Sequence, residues 1–406
     1  MVSDWGGMTF LIPYVLFVVL IGASGVIEEM ALGRAAKGGP IKAFGCCTEI
    51  RTGKKKPGEI VGVIPVLGSL ALAIGYTVVV GWIFLAISGG LFQFHQDMDA
   101  IAGLFGSTAS AFGNNMWLVI AMVVTAVIMA FGIAGGIERA NKVMMPLLFV
   151  LFLGLGIYIF TLPGAGAGYR YIFTIDPQKL LDGRLWIYAF GQAFFSLSIA
   201  GNGTVIYGSY LSESEDVVSS ARNVAVFDTM AALLAAFVII PGMAVGGAEL
   251  SSGGPGLMFI YLLNVFNGMP GGRVVEMVFY ICVLFAGLSS LVNLYEAPVE
   301  MLEERFGMKR KMAVACMASI GGIAALLIQG IVSGWMDAVS IYICPLGAML
   351  AGIMFFWVAG DDFALSAVNQ GKERPIGRWF LPLGRFVLVP AAAIALIAGA
   401  LLGGIG

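Results

Sequence analysis

Between Phe190 and Tyr210 runs a stretch long enough to cross a membrane, yet its middle, Gly201-Asn202-Gly203, consists of poor helix formers. In hydrocarbon a freed amide or carbonyl must find a partner, so a broken helix persists only beside protein or a wet cavity. Mid-membrane breaks of this kind mark the substrate and ion sites of secondary transporters, although a packing kink would read the same, glycine being common in membrane helices. Ser196 and Ser198 precede the break. Beside freed carbonyls their hydroxyls suit a hard cation; an isolated serine would instead bond back to its own helix. Asp228, in Val226-Phe227-Asp228-Thr229 at the start of an apolar run, is a costly intramembrane carboxylate and therefore a functional candidate. The bland alternative is a hydrated, inert acid at the interface. Ala286, Ser289 and Ser290 stand at i, i+3 and i+4 on one helix face, where a carbonyl and two hydroxyls converge on one ion or simply form a small-residue packing face. Tyr76, in Ile74-Gly75-Tyr76-Thr77, falls about mid-span, too deep for an interfacial aromatic belt.

These groups need a membrane scaffold, and composition provides it. Hydrophobic residues make up 59% of the 406 and charged residues 11%, against roughly 25% charged in soluble domains, so an all-α polytopic membrane protein is expected. Ten apolar segments reach the ~20 residues a span requires, near 9–32, 60–90, 116–135, 143–162, 184–211, 221–246, 272–302, 312–333, 337–359 and 379–403. The stretches 91–115 and 247–271 read as longer loops rich in Gly, Ser and Asn. Five cysteines show no metal spacing and read as free thiols. His95 is the single histidine, which excludes a histidine-rich metal site.

Basic residues alternate between loops: Arg34 to Lys56 hold seven, then Arg139 and Lys142, Arg305 to Lys311, and Lys372 and Arg374. The positive-inside rule puts these loops in the cytoplasm and Met1 outside. Arg170, Lys179 and Arg184 on the outside, and Glu213, Glu215 and Asp216 inside, run against the pattern.

Several motifs in order carry a resemblance across nearly the whole chain. They are Gly6-Gly7-Met8-Thr9-Phe10-Leu11-Ile12-Pro13-Tyr14, Glu29-Met30-Ala31-Leu32-Gly33-Arg34, Gly136-Ile137-Glu138-Arg139, Gly254-Pro255-Gly256-Leu257 and Phe285-Ala286-Gly287-Leu288-Ser289-Ser290. Together with the broken stretch they resemble the neurotransmitter:sodium symporters, in particular the bacterial amino-acid transporters of that family. The resemblance implies a five-plus-five inverted-repeat transporter, here with ten transmembrane helices and the family's discontinuous first helix missing. One transporter domain spans 1–406, with 1–162 an incomplete first repeat, 163–359 the second and 360–406 a final additional helix.

The resemblance also implies roles. Ser196 and Asp228 match one sodium site, where asparagine is usual in place of Asp228; Ala286, Ser289 and Ser290 match the second. Tyr76, Phe195, Ser196, Ser198, Gly201 and Asn293 are expected around the substrate, with Tyr76 at its carboxylate and Phe195 as an outer lid. Tyr14 and Gln192 match groups lining a chloride position. Ala232 stands where some members carry a compensating glutamate, so Asp228 is expected to supply the negative charge and make chloride unnecessary. Asp337 matches an external gating acid. Glu29 reads as an intramembrane acid with a structural role. The expected function is sodium-coupled symport of amino acids or related small amines at a plasma (bacterial inner) membrane, using two sodium ions. The lipid bilayer and a small-molecule substrate are the partners, with no nucleic acid and an open oligomeric state. The rivals are a transport-incompetent fragment or sensor that keeps the fold, and a membrane enzyme, which would need clustered His, Asp or Glu at catalytic spacing.

Overall fold

The computed structural model describes residues 2–89, 98–199, 202–247, 257–372 and 374–402. Gly201, His95 and Gly254-Pro255-Gly256 lie outside them. Every regular element among the described residues is helical, as hydrocarbon demands of a chain that must satisfy its own amides and carbonyls. In order the elements are α1 (Gly7–Ala36), α2 (Pro40–Thr52), α3 (Lys56–Ile87), α4 (Met98–Thr108), α5 (Asn115–Ala130), α6 (Ile133–Phe160), α7 (Ala165–Ile172), α8 (Gly183–Ser196), α9 (Gly203–Ser209), α10 (Val217–Val245), α11 (Met258–Asn267), α12 (Gly272–Phe306), α13 (Arg310–Ala359), α14 (Asp361–Asn369) and α15 (Phe380–Leu402).

Seven of these, α1, α3, α6, α10, α12, α13 and α15, are long and apolar enough to cross a membrane. The expected span 184–211 is the broken pair α8 and α9, and 116–135 is the shorter α5. The expected spans 312–333 and 337–359 fall in one 50-residue helical run, α13. A straight helix of that length would measure about 75 Å, far beyond a hydrocarbon core of ~30 Å, so the run turns back on itself. A 3₁₀ turn at Gln329–Ile331 marks the place. On one side of it Gly321 abuts Tyr295, whose hydroxyl lies 3.2 Å from that of Thr77; on the other the Trp335 indole donates to the Ala71 carbonyl at 2.8 Å. Ala71 and Thr77 are about 9 Å apart along α3, whereas Gly321 and Trp335 would be about 21 Å apart in a straight helix.

Two expected loops prove partly helical. In α4, Ile101 and Phe105 are buried, and the Phe105 ring stacks on Phe259 of α11 and meets Trp82 of α3 edge-on. The glycines and serines of those stretches hid short helical pieces that gain their order by packing against α3 and α12.

The bundle is clamped at one end by charge kept off the lipid. Arg34 is buried at the end of α1 and donates to three carbonyls, of Glu215, Ala367 (2.8 Å) and Gln370 (3.0 Å). Arg310 holds the fully buried Glu296 of α12 through two bonds of 2.6 and 2.7 Å, and the Tyr210 hydroxyl, just past α9, donates to the same carboxylate at 2.8 Å. Asp216 caps α10 by accepting from the Val218 amide at 2.9 Å and pairs with Lys372 at 3.2 Å. Burial opposes its charge, but the Ser219 hydroxyl, Lys372 and the Val218 and Ser219 amides outweigh that and hold its carboxyl below the usual range.

Helices α1 and α9 touch backbone to backbone. A Cβ at Gly33 would stand 1.8 Å from the Val205 carbonyl oxygen, and one at Gly208 would stand 2.4 Å from that of Met30. Gly33→Ala is therefore expected to destabilise the protein by at least the roughly 1–3 kcal/mol of an overpacked core. Gly154→Ala on α6, where a Cβ would meet nothing within 4 Å, is expected to be neutral or slightly stabilising. Thermal unfolding in detergent of the two variants beside the parent checks this; equal melting would refute the close approach.

Candidate functional site

The break between α8 and α9 is sharper than a kink. Leu197 and Ser198 leave the helix, Ser198 adopts a left-handed φ of 58° and Asn202 one of 55°. Asparagine enters that region readily and serine less so, and strained positions of this kind cost on the order of 1–3 kcal/mol unless the surroundings hold them. The holding group is Glu29 of α1. Its fully buried carboxylate accepts from the Asn202 side-chain amide at 2.6 Å and from the Thr204 hydroxyl. The Val205 backbone amide, in the first turn of α9, also bonds it, where the helix N-terminus favours negative charge.

Against the break lies a cavity of 270 Å³. Helix α3 contributes Ser69, Leu72 and Tyr76; α8 contributes Gln192, Phe195 and Ser196; the break contributes Ser198 and Gly203. Asp228 comes from α10, and Ser290, Asn293 and Leu294 from α12. The helices are fastened here, since Ser69 donates to the Leu294 carbonyl at 2.8 Å. The rings of Tyr76 and Phe195 stack with centroids 6.5 Å apart, forming one wall. The Asn293 side-chain oxygen is buried, has no hydrogen-bond partner and lies against Gly203.

Asp228 is the charged member. Its two oxygens accept from the Ser196 hydroxyl at 2.8 and 2.7 Å, and the Tyr14 hydroxyl of α1 lies 3.2 Å from Ser196 and 3.4 Å from Asp228. No lysine or arginine among the described residues pairs with it, the groups acting on it being Ser196 and Tyr14. An intramembrane carboxylate without a cationic neighbour, beside a cavity lined by oxygens, is a place for a cation. Asp228 and Ser290 also face a larger apolar cavity of 1160 Å³ that includes Ala286 and Ser289. Tyr14, Gln192 and Ser196 border a third, of 350 Å³, with Ala232 on its wall.

Of the residues singled out from sequence, Tyr76, Gln192, Phe195, Ser196, Ser198, Asp228, Ser290 and Asn293 thus share one cavity, with Tyr14 bonded to it. Ala286 and Ser289 adjoin it through Ser290, and the Ser289 hydroxyl donates to the Ala286 carbonyl at 2.9 Å, the back-bond of an ordinary helical serine. That hydroxyl would have to turn to meet an ion. Asp337, exposed in α13, stands apart from all three cavities. Sequence reasoning did not identify Ser69, Leu72 and Leu294. They are common residues in apolar runs, and only the packing of α3 on α12 brings them to the cavity. Glu29 was read as structural, and its particular task, holding the break, is visible only in the fold.

Comparison with known proteins gives the family and the fold of the chain. The profile of the family described as Sodium:neurotransmitter symporter family matches residues 93–355. An uncharacterised sodium-dependent transporter of Methanocaldococcus jannaschii is 29% identical over 403 residues, covering 94% of this chain and 80% of that protein. One of Haemophilus influenzae is 30% identical over 342 residues, covering 80% of this chain and 74% of that protein. Among solved structures, that of MhsT in complex with L-phenylalanine is similar with a TM-score of 0.84 and 30% identity, over 98% of this chain and 93% of that one.

The Glu29 clasp makes a prediction of its own. Glu29→Ala strands the buried Asn202 amide and Thr204 hydroxyl, while the Val205 amide keeps the Asn202 carbonyl; at about 1–3 kcal/mol for each stranded donor, it should lower the melting temperature clearly. Glu29→Gln, which keeps one acceptor, should lower it less. Thermal unfolding of both, beside Thr204→Val with one bond lost, tests the order; a Glu29→Ala protein that melts like the parent would show that the break does not depend on this carboxylate.

Proposed function

The chain belongs to the sodium:neurotransmitter symporter family, and from that premise we propose that it carries an amino acid or a related small amine together with sodium, by alternating access around the break at Ser198–Gly203. That it is a sodium-dependent, multi-pass membrane transporter follows from the family and from its long apolar helices. The observation that carries the finer reading is Asp228: a carboxylate bonded only by hydroxyls, facing a cavity whose other polar groups are oxygens and amides.

In this reading Ser196 and Asp228 hold one sodium ion, and Ser290, the Ala286 carbonyl and Ser289 hold a second. All are hard oxygen donors of the kind such cations prefer. The substrate lies between Tyr76 and the break, its carboxylate toward Tyr76 and the first ion, its ammonium toward backbone carbonyls freed at Ser198. Phe195 covers it from outside and Asn293 gives the side-chain pocket a polar corner. MhsT, whose structure is similar, is seen with L-phenylalanine, which supports an amino acid as the cargo. The repeats would be 1–162 and 163–359, with the final helix in 360–406, in the plasma membrane of the cell. Coupling then has a simple electrostatic basis: the cavity holds one fixed negative charge, and the ion that neutralises it completes the surface the substrate needs.

Uptake of labelled amino acids into proteoliposomes, with protein purified from its native membrane, tests this. An inward sodium gradient should raise uptake at least ten-fold over potassium. Ser290→Ala should raise the sodium concentration for half-maximal uptake about ten-fold, as expected for loss of one bond to a charge. Equal uptake in sodium and potassium would overturn the proposal, and sodium-dependent binding without uptake would mark a sensor.

A second measurement addresses chloride. Asp228 already occupies the hydroxyls of Tyr14 and Ser196, leaving a chloride ion at that position both undonated and repelled. Uptake should be equal in chloride and gluconate, and Asp228→Asn, which removes the charge, should become slower in gluconate than in chloride. Chloride dependence of the parent protein would refute the role given to Asp228.

A further inference from the structure

Away from the break, α1 and α10 diverge to leave a groove of 540 Å³ on the outer surface of the bundle. Its floor is the point where the helices touch: a Cβ at Gly22 would stand 3.1 Å from that of Ala225. Gly22 opens a π-helical turn, Gly22–Val26, which widens α1 locally and sets Ala23 and Ile27 along the groove. The walls are apolar, with Val15 and Val19 on one side, Val226 and Met230 on the other, and Trp379 just before α15 closing one end. At that same end stands the one charged lining residue, Arg222. It is exposed and makes no hydrogen bond or ion pair among the described residues.

An arginine six residues into a helix of membrane-spanning length, with no protein partner, needs an anion or water at the interface, which its long stem lets it reach. The end it occupies is that of Lys372 and the Asp216 cap, beside the loops whose basic residues read as cytoplasmic. The adjoining tryptophan is the kind of residue that settles at head-group depth. The volume decides between occupants. A helix about 10–12 Å across would fill 540 Å³ with about one turn, too little for a stable helix contact, whereas a flexible hydrocarbon chain can lie along the whole groove.

We propose that this groove binds one phospholipid of the inner leaflet, an acyl chain lying between α1 and α10 and an anionic head group held by Arg222. The consequence for the molecule is a lipid wedged between the helix that holds the break, through Glu29, and the helix that carries Asp228. Both flank the groove within two turns of its lining residues, since Ile27 precedes Glu29 by two positions and Asp228 lies between Val226 and Met230.

Native mass spectrometry of the detergent-purified protein, titrated with phosphatidylglycerol or phosphatidylcholine, tests the proposal. The parent should retain one phosphatidylglycerol in preference to phosphatidylcholine. Arg222→Gln should bind phosphatidylglycerol about five-fold more weakly, the effect of one basic residue at an anionic surface, and should lose the preference. Val19→Trp, at a residue 64% exposed and so expected to fold, should fill the groove and remove the tight lipid whatever its head group. Thermal unfolding confirms that both variants are folded. Retention unchanged in both variants would overturn the proposal. So would loss in Arg222→Gln with Val19→Trp unaffected, which would leave only surface attraction, or a dimer carrying no lipid.

Discussion

A membrane interior offers no water to an unpaired amide or carbonyl, and the most consequential feature of this protein is how it meets that constraint at one place where the helix stops. Between Ser196 and Gly203 the described residues leave the helical path, Ser198 and Asn202 among them being left-handed. Such a turn survives in hydrocarbon only if protein groups replace the lost ladder. Glu29 replaces it from a neighbouring helix, through Asn202, Thr204 and the first turn of α9. On the cavity side of that clasp stand the Ser196 and Ser198 side chains, where the proposed ion and substrate would meet them.

Charge follows the same economy. Arg34 is surrounded by carbonyls, and Glu296 by Arg310 and Tyr210, so that both of these buried charges have partners in place. Asp228 differs, having hydroxyl donors and no cation among the described residues. A buried carboxylate left so is costly in the resting protein and gains most when a cation arrives. In the proposed reading, a structural buried charge has a side chain as its partner, whereas Asp228 takes one from solution.

Small residues transmit these arrangements. Gly33 and Gly208 let α1 and α9 meet at backbone distance, so the helix carrying Glu29 cannot move without the half-helix it holds. Gly22 leaves room for the Ala225 methyl of α10. Helix α1 therefore contacts both the break and the helix bearing Asp228, which makes its lipid-facing groove a natural place from which the bilayer could bias the site.

The class of the protein and its most telling position were legible in the sequence because both follow from composition. Long apolar runs have few fates other than a membrane, and glycines in the middle of one announce a break wherever the chain ends up. Local spacing also placed Ser289 and Ser290 on one face. What the sequence could not decide was partnership. Glu29 and Asp228 are both acids in apolar runs, yet one faces a neighbouring half-helix and the other a cavity, because α1 packs on α9 while α10 passes beside α8. Ser69 and Leu294 line the cavity only because α3 lies against α12. The two spans within α13 were legible as separate apolar runs, whereas the short helices of the two glycine-rich stretches escaped for a related reason. Their order comes from side chains such as Phe105 and Phe259 meeting across the fold, and contacts between residues distant in sequence leave no periodicity in either segment alone.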